Sequence, residues 1–384
     1  MYLVFCLMFG VAFASGRDYA EKGNEHFSAV AYQAAKRAGY PGYRYSYYVI
    51  SPILIEIVFA IYYLGSAGGT RENLGELFGF SLKNAEVEER FEYLVPLLSQ
   101  NGFRMAHKMI ALRGTEWQPT WQKKVEDIFH LQFEVFDDSD EPAEKIERWF
   151  QEHTNNKMER MIYELHQLQW AVTHLLLLSA SYFQANWTDT SATKTVMARY
   201  FNYGPLHKKV GKFLELPFEK SEASMVFVYP ETVSDFKILE DEIEYIFKGP
   251  HFNRSEPTTF SVPKFRFEYA IMEYSIHHLR KMGFGGGVDW TFLTKFYSFP
   301  FSNITDNNDR AWINAFTEKV YMDLNEKGVE IADGLIAQFE DTTYIYNNIV
   351  DLPFIFYIKL RQTIVFMGRK INFKIIDKEK SNNK

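Results

Sequence analysis

Apolar positions recur along this chain with two spacings, one typical of helices and one typical of strands. Residues 19–36 follow the helical period and predict an amphipathic helix. The segment that begins at Ser51-Pro52 is apolar nearly all round, with serine as cap and proline in the first turn, so we expect a central helix. Residues 103–112 and 174–183 are predicted strands. The second holds four consecutive leucines, which is typical of a strand covered on both faces.

Glycine, threonine and proline mark the limits of further elements. The glycine-rich run 65–69 should end the central helix, and Thr70 should cap the next one. Pro142 opens an amphipathic helix that we expect to continue towards Ile162. A strand is expected over residues 45–50. Helices dominate the first half and strands the second, with little βαβ alternation, so the pattern predicts an α+β fold.

The first residues have the composition of a secretory leader. Residues 3–14 are apolar, end in Ala12-Phe13-Ala14, and are too few to span a bilayer. We therefore predict a signal peptide over residues 1–16, a secreted, extracellular protein, a single domain over 17–376 and a disordered polar tail over 377–384. Because no positive charge precedes the apolar run, a buried first strand is the alternative.

Cysteine content and charge exclude several kinds of site. The single cysteine, Cys6, lies within the predicted leader, so the mature chain would have no thiol. Disulfides, zinc–cysteine sites and a cysteine nucleophile are then excluded, and a large core must supply the stability. The net charge of −7 gives no basic surplus, so we expect neither nucleic acid nor a membrane as partner.

Three N-x-S/T sequons are present in the chain. Asn253 and Asn303 lie in polar, turn-like surroundings and are the expected glycosylation sites of a secreted protein. Asn186 follows an apolar run beside Trp187, so we expect it to be buried.

The motifs of common enzymes are absent from the sequence. It contains no G-x-S-x-G elbow and no H-E-x-x-H metal motif, and its histidines show no ligand spacing. The glycine-rich run 283–287 has no preceding strand and no Lys-Ser/Thr ending, so it predicts a flexible turn rather than a phosphate site. We therefore expect neither an enzyme nor a bound cofactor or metal.

Several motifs, in the same order along the chain, resemble those of the serpin family. They are Ser51-Pro52 with Leu64-Gly65-Ser66-Ala67-Gly68-Gly69-Thr70, then Trp149 with Thr154, Asn155 and Lys157, Ser179 to Trp187, Leu214-Glu215-Leu216-Pro217-Phe218, Val262-Pro263-Lys264-Phe265, Asn325-Glu326-Lys327-Gly328 and Leu352-Pro353-Phe354. The aromatic-rich composition and the absence of cysteine after Cys6 are also compatible with insect serpins, silk-gland ones included. The resemblance implies three β-sheets, eight or nine helices and an exposed reactive loop. In inhibitory members a protease cuts the loop and stays acylated while the loop inserts into the main sheet.

The resemblance also assigns residues to two sites of the main sheet. Where the sheet opens, the family has a polar shutter cluster. The matching positions here are Ser51, Leu54, Ser179 and Glu318, so most of that cluster is rewritten. At the top of the sheet, the breach, the resemblance implies an ion pair between Glu326 and Lys264 beside Trp187. The short interval between Trp187 and Leu214 implies fewer strands next to the loop.

The hinge of the loop departs from the pattern of inhibitory members. It comprises Glu326, Lys327, Gly328, Val329, Ile331 and Asp333. If the loop inserted as a strand, alternation would turn residues 329, 331, 333, 335 and 337 towards the core. Burying Asp333 unpaired would cost several kcal/mol or force it to take up a proton. The alternative is an apolar-rich surface loop that never inserts.

The distance from Gly328 to Pro353 matches the family's, and the resemblance then implies a reactive bond at Thr342-Thr343, with Phe339, Glu340 and Asp341 as an alternative cleavage region. No cation is present for the acidic pocket of a trypsin-like protease. The sequence therefore predicts a monomeric inhibitor whose partner is a target protease. Papain-like cysteine proteases are favoured, and chymotrypsin-like enzymes are conceivable. A non-inhibitory carrier, storage or structural protein is the alternative.

Overall fold

The apolar helix predicted after Ser51 forms and lies in the core. In the computed structural model, α2 (Pro52–Leu64) begins after Ser51, whose hydroxyl accepts a hydrogen bond of 3.3 Å from the amide of Leu54. Every residue of α2 except Phe59 is buried. The helix is therefore central, as its nearly continuous apolar surface predicts.

The four helices that the sequence predicts all form among the described residues, together with others that it does not predict. The structure describes residues 16–37, 47–81, 83–112, 116–136, 142–158, 161, 175–188, 196–197, 202–206, 210–249, 259–260, 265–275, 304, 315–325, 327–336 and 353–371. Within these ranges the α-helices are α1 (Gly16–Arg37), α2, α3 (Gly68–Phe78), α4 (Asn84–Gln100), α5 (Pro119–Phe129), α6 (Pro142–His153), α7 (Phe236–Asp241) and α8 (Ile243–Phe247).

The strands form three sheets within the described ranges. They are β1 (Tyr47–Ile50), β2 (Phe103–Leu112), β3 (Gln132–Phe136), β4 (Leu175–Asn186), β5 (Val196–Met197), β6 (Asn202–Pro205), β7 (Gly211–Pro217), β8 (Ala223–Pro230), β9 (Thr259–Phe260), β10 (Phe265–Ser275), β11 (Ala315–Leu324), β12 (Gly328–Ile336), β13 (Phe354–Leu360) and β14 (Thr363–Lys370).

Two six-stranded sheets dominate the fold. The central sheet has the order β10-β11-β12-β4-β2-β3, and the C-terminal sheet has the order β1-β14-β13-β8-β7-β6. The third sheet is the pair β5-β9. In the central sheet all neighbours are antiparallel except β2 and β3. The interval after Trp187 thus contributes β5, which pairs with β9, and β6, which joins the C-terminal sheet.

The central sheet is covered on both faces. Its core face packs into the large cluster that contains α2 and the C-terminal sheet. Its outer face packs on a smaller cluster that includes Trp149 and Phe150 of α6. Because both faces are buried, β4 is apolar on both sides, which agrees with the prediction from its four leucines.

Two predicted boundaries are wrong. Thr70 lies inside α3, whose capping position is Ala67 in extended conformation. Helix α6 ends at His153 rather than continuing, because Asn155 and Asn156 adopt left-handed backbone conformations with φ of 53° and 56°. Asparagine tolerates this region better than most residues, and a helix cannot pass through it. The turn after α6 carries Lys157 towards the central sheet.

Membrane-spanning helices were not expected. Among the helices in the described ranges, none combines the length and the apolar character needed to cross a bilayer.

Candidate functional site

The chain turns from β11 into β12 at Asn325, Lys327 and Gly328. The amide of Asn325 donates to the carbonyl of Gly328 at 3.0 Å, and the amide of Lys327 donates to the side-chain oxygen of Asn325 at 2.9 Å. Trp187, at the end of β4, donates from its ring to the carbonyl of Asn325 at 3.1 Å and from its amide to the carbonyl of Lys327 at 3.0 Å. The turn is therefore fixed to β4 as well as to β11.

Gly328 is the first residue of β12 and pairs with Asn186 of β4. A methyl group on Gly328 would collide with the backbone carbonyl oxygen of Ala185. Glycine in a strand often marks such a close approach of a second backbone. Residue 328 can therefore occupy this place in the sheet only if it has no side chain.

Residues 328–336 form a central strand of the sheet, which differs from the expectation that the chain leaves the body after Gly328. β12 lies between β11 and β4 and pairs with both. Val329, Ile331, Asp333 and Leu335 are buried on the core face. The alternative of a surface loop that never inserts does not hold for these residues. The continuation over 337–352 lies outside the described residues.

Ser51 and Glu318 meet at the shutter position. The Glu318 carboxylate accepts a hydrogen bond of 2.6 Å from the amide of Ser51, and the Ser51 hydroxyl donates to the carbonyl of Val365 at 2.9 Å. Both side chains are buried, as is Leu54. The donor for Glu318, which the sequence did not identify, is thus a backbone N–H group at the start of α2.

Ser179 bonds to a residue that the sequence analysis did not name. Its hydroxyl lies 2.7 Å from Nδ1 of His107 on β2, and both residues are buried. Burial lowers the pKa of His107 to about 3, so the imidazole is neutral at physiological pH. The available signal was a histidine on the apolar face of the strand Phe103–Leu112, at an alternating position between Met105 and Met109.

Asp333 lies on the core face without a hydrogen-bond donor. It is fully buried, and neither of its carboxyl oxygens has a donor partner. Its strand neighbours in register are Val320 of β11 and Ser181 of β4. Burial raises the pKa of Asp333 to about 8, and burial together with the adjacent Asp333 raises that of Glu318 well above its ordinary value. Glu318 pairs with Leu335, two positions beyond Asp333 on the same face of β12, so the two carboxyl groups are diagonal neighbours in the core.

Glu330, on the outer face of the same strand, has several partners. Tyr182 donates its hydroxyl to the carboxylate at 2.6 Å, and the ammonium group of Lys157 lies 3.0 Å away. Asn155 donates to the Tyr182 oxygen at 3.1 Å, and Lys157 lies over the Tyr321 ring at 5.0 Å. Partial burial opposes ionisation, but the hydrogen bonds from Tyr182 and Lys157 lower the pKa of Glu330 overall.

We name Asn155, Lys157, Tyr182 and Tyr321 the outer-face receptor. Its members come from the turn after α6, from β4 and from β11. The sequence analysis quoted Asn155 and Lys157 only as motif positions. Nothing in the sequence connects them with Glu330, because side chains far apart along the chain meet only through the order of strands in the sheet.

Several predicted site residues lie outside the described residues. They are Glu326 and Lys264 of the expected breach ion pair, Phe339, Glu340, Asp341, Thr342 and Thr343 of the cleavage region, and the expected glycosylation sites Asn253 and Asn303. Asn186 is described, and it is exposed rather than buried, because it ends β4 at the rim of the sheet. Within the described ranges, no group of three or more His, Cys, Asp or Glu side chains is arranged to hold a metal ion.

Comparisons with known proteins agree with this architecture. A family model described as Serpin (serine protease inhibitor) matches residues 23–373. Neuroserpin from Gallus gallus is 26% identical over 368 residues, which cover 83% of this chain and 84% of that protein. Leukocyte elastase inhibitor from Homo sapiens is 26% identical over 360 residues and covers 83% of this chain and 91% of that protein.

Solved structures show the same fold. Cleaved Serpin 42Da superposes with a TM-score of 0.75 at 18% identity, covering 94% of this chain and 99% of that one. The thermophilic serpin tengpin in the latent state superposes with a TM-score of 0.72 at 14% identity, covering 93% and 98%. With a family match across most of its length, this chain belongs to the serpin family, whose members are mostly protease inhibitors rather than enzymes.

Proposed function

We propose that this protein is a secreted protease inhibitor that presents the segment after Gly328 as bait and captures the attacking enzyme by inserting that segment into the central sheet. The observation that carries the proposal is β12 itself. Residues 328–336 occupy a central position with continuous pairing to both β11 and β4. A sheet that accepts this strand can hold a cut loop.

The outer-face receptor supports insertion as a built feature of the fold. Lys157 and Tyr182 both bond Glu330, the second residue after the hinge glycine. Hydrogen bonds to charged groups contribute about 1.5–3 kcal/mol each in typical cases. These contacts form only when β12 is in the sheet, so they favour the inserted arrangement. The relative named as an inhibitor of leukocyte elastase also supports an inhibitory role.

The chemical step belongs to the protease. Its nucleophile attacks the carbonyl carbon of Thr342, the bond between Thr342 and Thr343 breaks, and the new amino group leaves with Thr343. The protease stays attached to Thr342 as an ester or thioester. Insertion of the cut loop then carries the attached enzyme along the sheet before water can hydrolyse the bond.

The residues around that bond limit the choice of target. Residues 339–344 read Phe-Glu-Asp-Thr-Thr-Tyr and offer no lysine or arginine to a trypsin-like pocket. Cleavage after Glu340 would present Phe339 as the preceding apolar residue that papain-like enzymes read. We therefore propose papain-like cysteine proteases as targets ahead of chymotrypsin-like ones.

A protease panel tests the proposal. The purified chain is incubated with papain-like, chymotrypsin-like, elastase-like and trypsin-like enzymes, and the cut site is mapped by mass spectrometry. We expect inhibition of a papain-like or chymotrypsin-like enzyme, cleavage within residues 339–344, and no effect on trypsin. Cleavage of the loop by all enzymes without inhibition of any would contradict the proposal.

A non-inhibitory role is the second candidate, and one observation favours it. The uncut chain already holds residues 328–336 in the sheet, which shortens the segment that a protease could reach. In that case cleavage near Thr342 should leave the thermal midpoint unchanged, because no further strand enters. An inhibitor whose loop starts outside the sheet should instead become more stable after cleavage.

A further inference from the structure

Two buried carboxyl groups meet at the strand that inserts. Glu318 on β11 and Asp333 on β12 are both fully buried on the core face of the central sheet. One Glu318 oxygen accepts the amide of Ser51, while the other Glu318 oxygen and both Asp333 oxygens have no donor partner. Two adjacent carboxylates cannot both remain charged in such surroundings, because burial and mutual repulsion each disfavour ionisation.

The other ionisable groups on the packed elements leave this pair without a cation. Within the described residues neither carboxyl forms a salt bridge, and the groups nearest in sequence or register point away or bond elsewhere. They are Lys319 on β11 and Tyr182 on β4, which alternation places on the opposite face; His107 on β2, bonded to Ser179; and Glu56 on α2, bonded to Arg90 and Asn24. On β10 the residue in register with Glu318 is Met272.

Only one member of the pair changes its surroundings when the loop moves. Glu318 belongs to β11 and is bonded to the start of α2, whereas Asp333 belongs to the hinge segment and reaches water when that segment leaves the sheet. We propose that insertion of β12 takes up at least one proton at the Glu318–Asp333 pair, so that acid drives the loop into the sheet and alkali holds it out. The proposal rests on loop insertion and does not depend on any protease.

The direction of the effect follows from proton linkage. An aspartate in water has a pKa of about 3.9. Burial raises the pKa of Asp333 to about 8 in the inserted strand. The inserted arrangement therefore has its full stability below about pH 4 and loses it as the pH rises through about 8. Between these values the insertion equilibrium should change by up to about tenfold per pH unit.

The test compares the full chain with Asp333→Asn at several pH values. The chain is equilibrated between pH 5 and pH 8.5, then labelled with deuterium in a short pulse at one fixed pH, and protection of residues 328–336 is measured. In parallel, urea unfolding of the inserted form is followed at each pH. Relative to Asp333→Asn, the wild-type unfolding equilibrium should shift by up to about tenfold per pH unit towards the unfolded state as the pH rises.

Controls separate this pair from other titrating groups. Lys327→Gln, at an exposed hinge position, should keep the wild-type pH profile. Glu318→Gln should keep the alkaline loss of stability, because Asp333 still titrates and the glutamine amide can donate to it in place of the neutral Glu318 carboxyl. If Asp333→Asn does not fold, Asp333→Ser, which has no charge either, takes its place. Parallel profiles for wild type and the uncharged variant at position 333, or a Glu318→Gln variant without the alkaline loss, would overturn the proposal, and neither result depends on whether the protein inhibits a protease.

Discussion

Strand β12 carries two acidic residues in opposite situations. Glu330, on the outer face, has a tyrosine hydroxyl at 2.6 Å and an ammonium group at 3.0 Å. Asp333, three positions on and on the core face, has no donor and lies beside a second carboxyl group. The pKa of Glu330 is lowered while that of Asp333 is raised. One strand thus contains one carboxylate that favours insertion at neutral pH and one that opposes it.

The difference shows that composition of the hinge alone does not decide whether it inserts. Each carboxylate has its effect through the residues that the other strands present to it. The free energy of insertion is therefore the sum of the contributions from both faces. A substitution on one face should change that free energy while the contacts on the other face stay unchanged. Substitutions can alter the two faces separately or, by keeping β12 out of the sheet, prevent the contacts on both faces at once.

The largest effect is expected for Ala332→Arg. Ala332 is fully buried on the outer face, so an arginine there would be overpacked and its charge unpaired. Inserted β12 should be destabilised by roughly 4 kcal/mol or more. Cleavage of the loop should then no longer raise the urea midpoint of unfolding. Any protease that the wild-type chain inhibits should instead cleave the loop and stay active. Lys327→Arg, at an exposed position, is the control and should behave as wild type.

A smaller effect is expected for Lys157→Glu, which reverses the receptor charge. The new carboxylate would lie opposite the Glu330 carboxylate, which now forms an ion pair of 3.0 Å with Lys157. The inserted form should lose about 2–3 kcal/mol, since a hydrogen bond to a charge is lost and a like charge replaces it. Urea unfolding at two salt concentrations measures this. A loss that does not diminish at high salt would contradict the electrostatic account.

On the core face, His107→Gln should separate two opposite pH effects. Burial lowers the pKa of His107 to about 3, whereas an unfolded histidine has a pKa of about 6.5. The contribution of neutral His107 to the free energy of unfolding is therefore complete above about pH 6.5. It decreases as the pH falls, by about 2 kcal/mol at pH 5. Glutamine can still bond Ser179 and does not titrate. The variant should resist acid better than wild type and keep the alkaline loss caused by Asp333.

The smallest effect is expected for the coupling between Glu330 and Lys157. A double-mutant cycle with Glu330→Gln and Lys157→Met isolates the pair from the other contacts of each residue. Because both groups are partly exposed, the coupling should be only about 0.5–1 kcal/mol in the inserted form. The same cycle in a chain with Ala332→Arg should give no coupling. Equal coupling in both backgrounds would show that the pair forms without β12.

Much of the fold followed from local pattern. The central helix after Ser51, the strand Phe103–Leu112 and the doubly covered strand around the four leucines form within a few residues of their predicted limits. Alternation also identified which hinge residues would face the core. The end of α6 was missed because two asparagines in left-handed conformations stop it, and asparagine is compatible with a helix as well.

The site was less predictable, for a physical reason. The cost of burying Asp333 is local and could be estimated from its chemistry alone. The contacts of Glu330 that offset this cost are not local. Tyr182 and Glu330 are 148 residues apart and meet only because β12 lies next to β4. His107 is a polar residue on an apolar face, a signal that the sequence analysis did not use, and its partner Ser179 depends on the pairing of β2 with β4.

Ser51 connects three parts of the molecule at once. Its amide bonds Glu318 in the central sheet, its hydroxyl donates to Val365 in the C-terminal sheet, and the same hydroxyl accepts the amide of Leu54 at the start of α2. Displacement of β11 during strand entry must therefore stretch or break a bond at a residue that also anchors the opposite layer. Widening of the central sheet is in this way transmitted to the C-terminal sheet. With alanine at position 51, the two sheets should move more independently of each other.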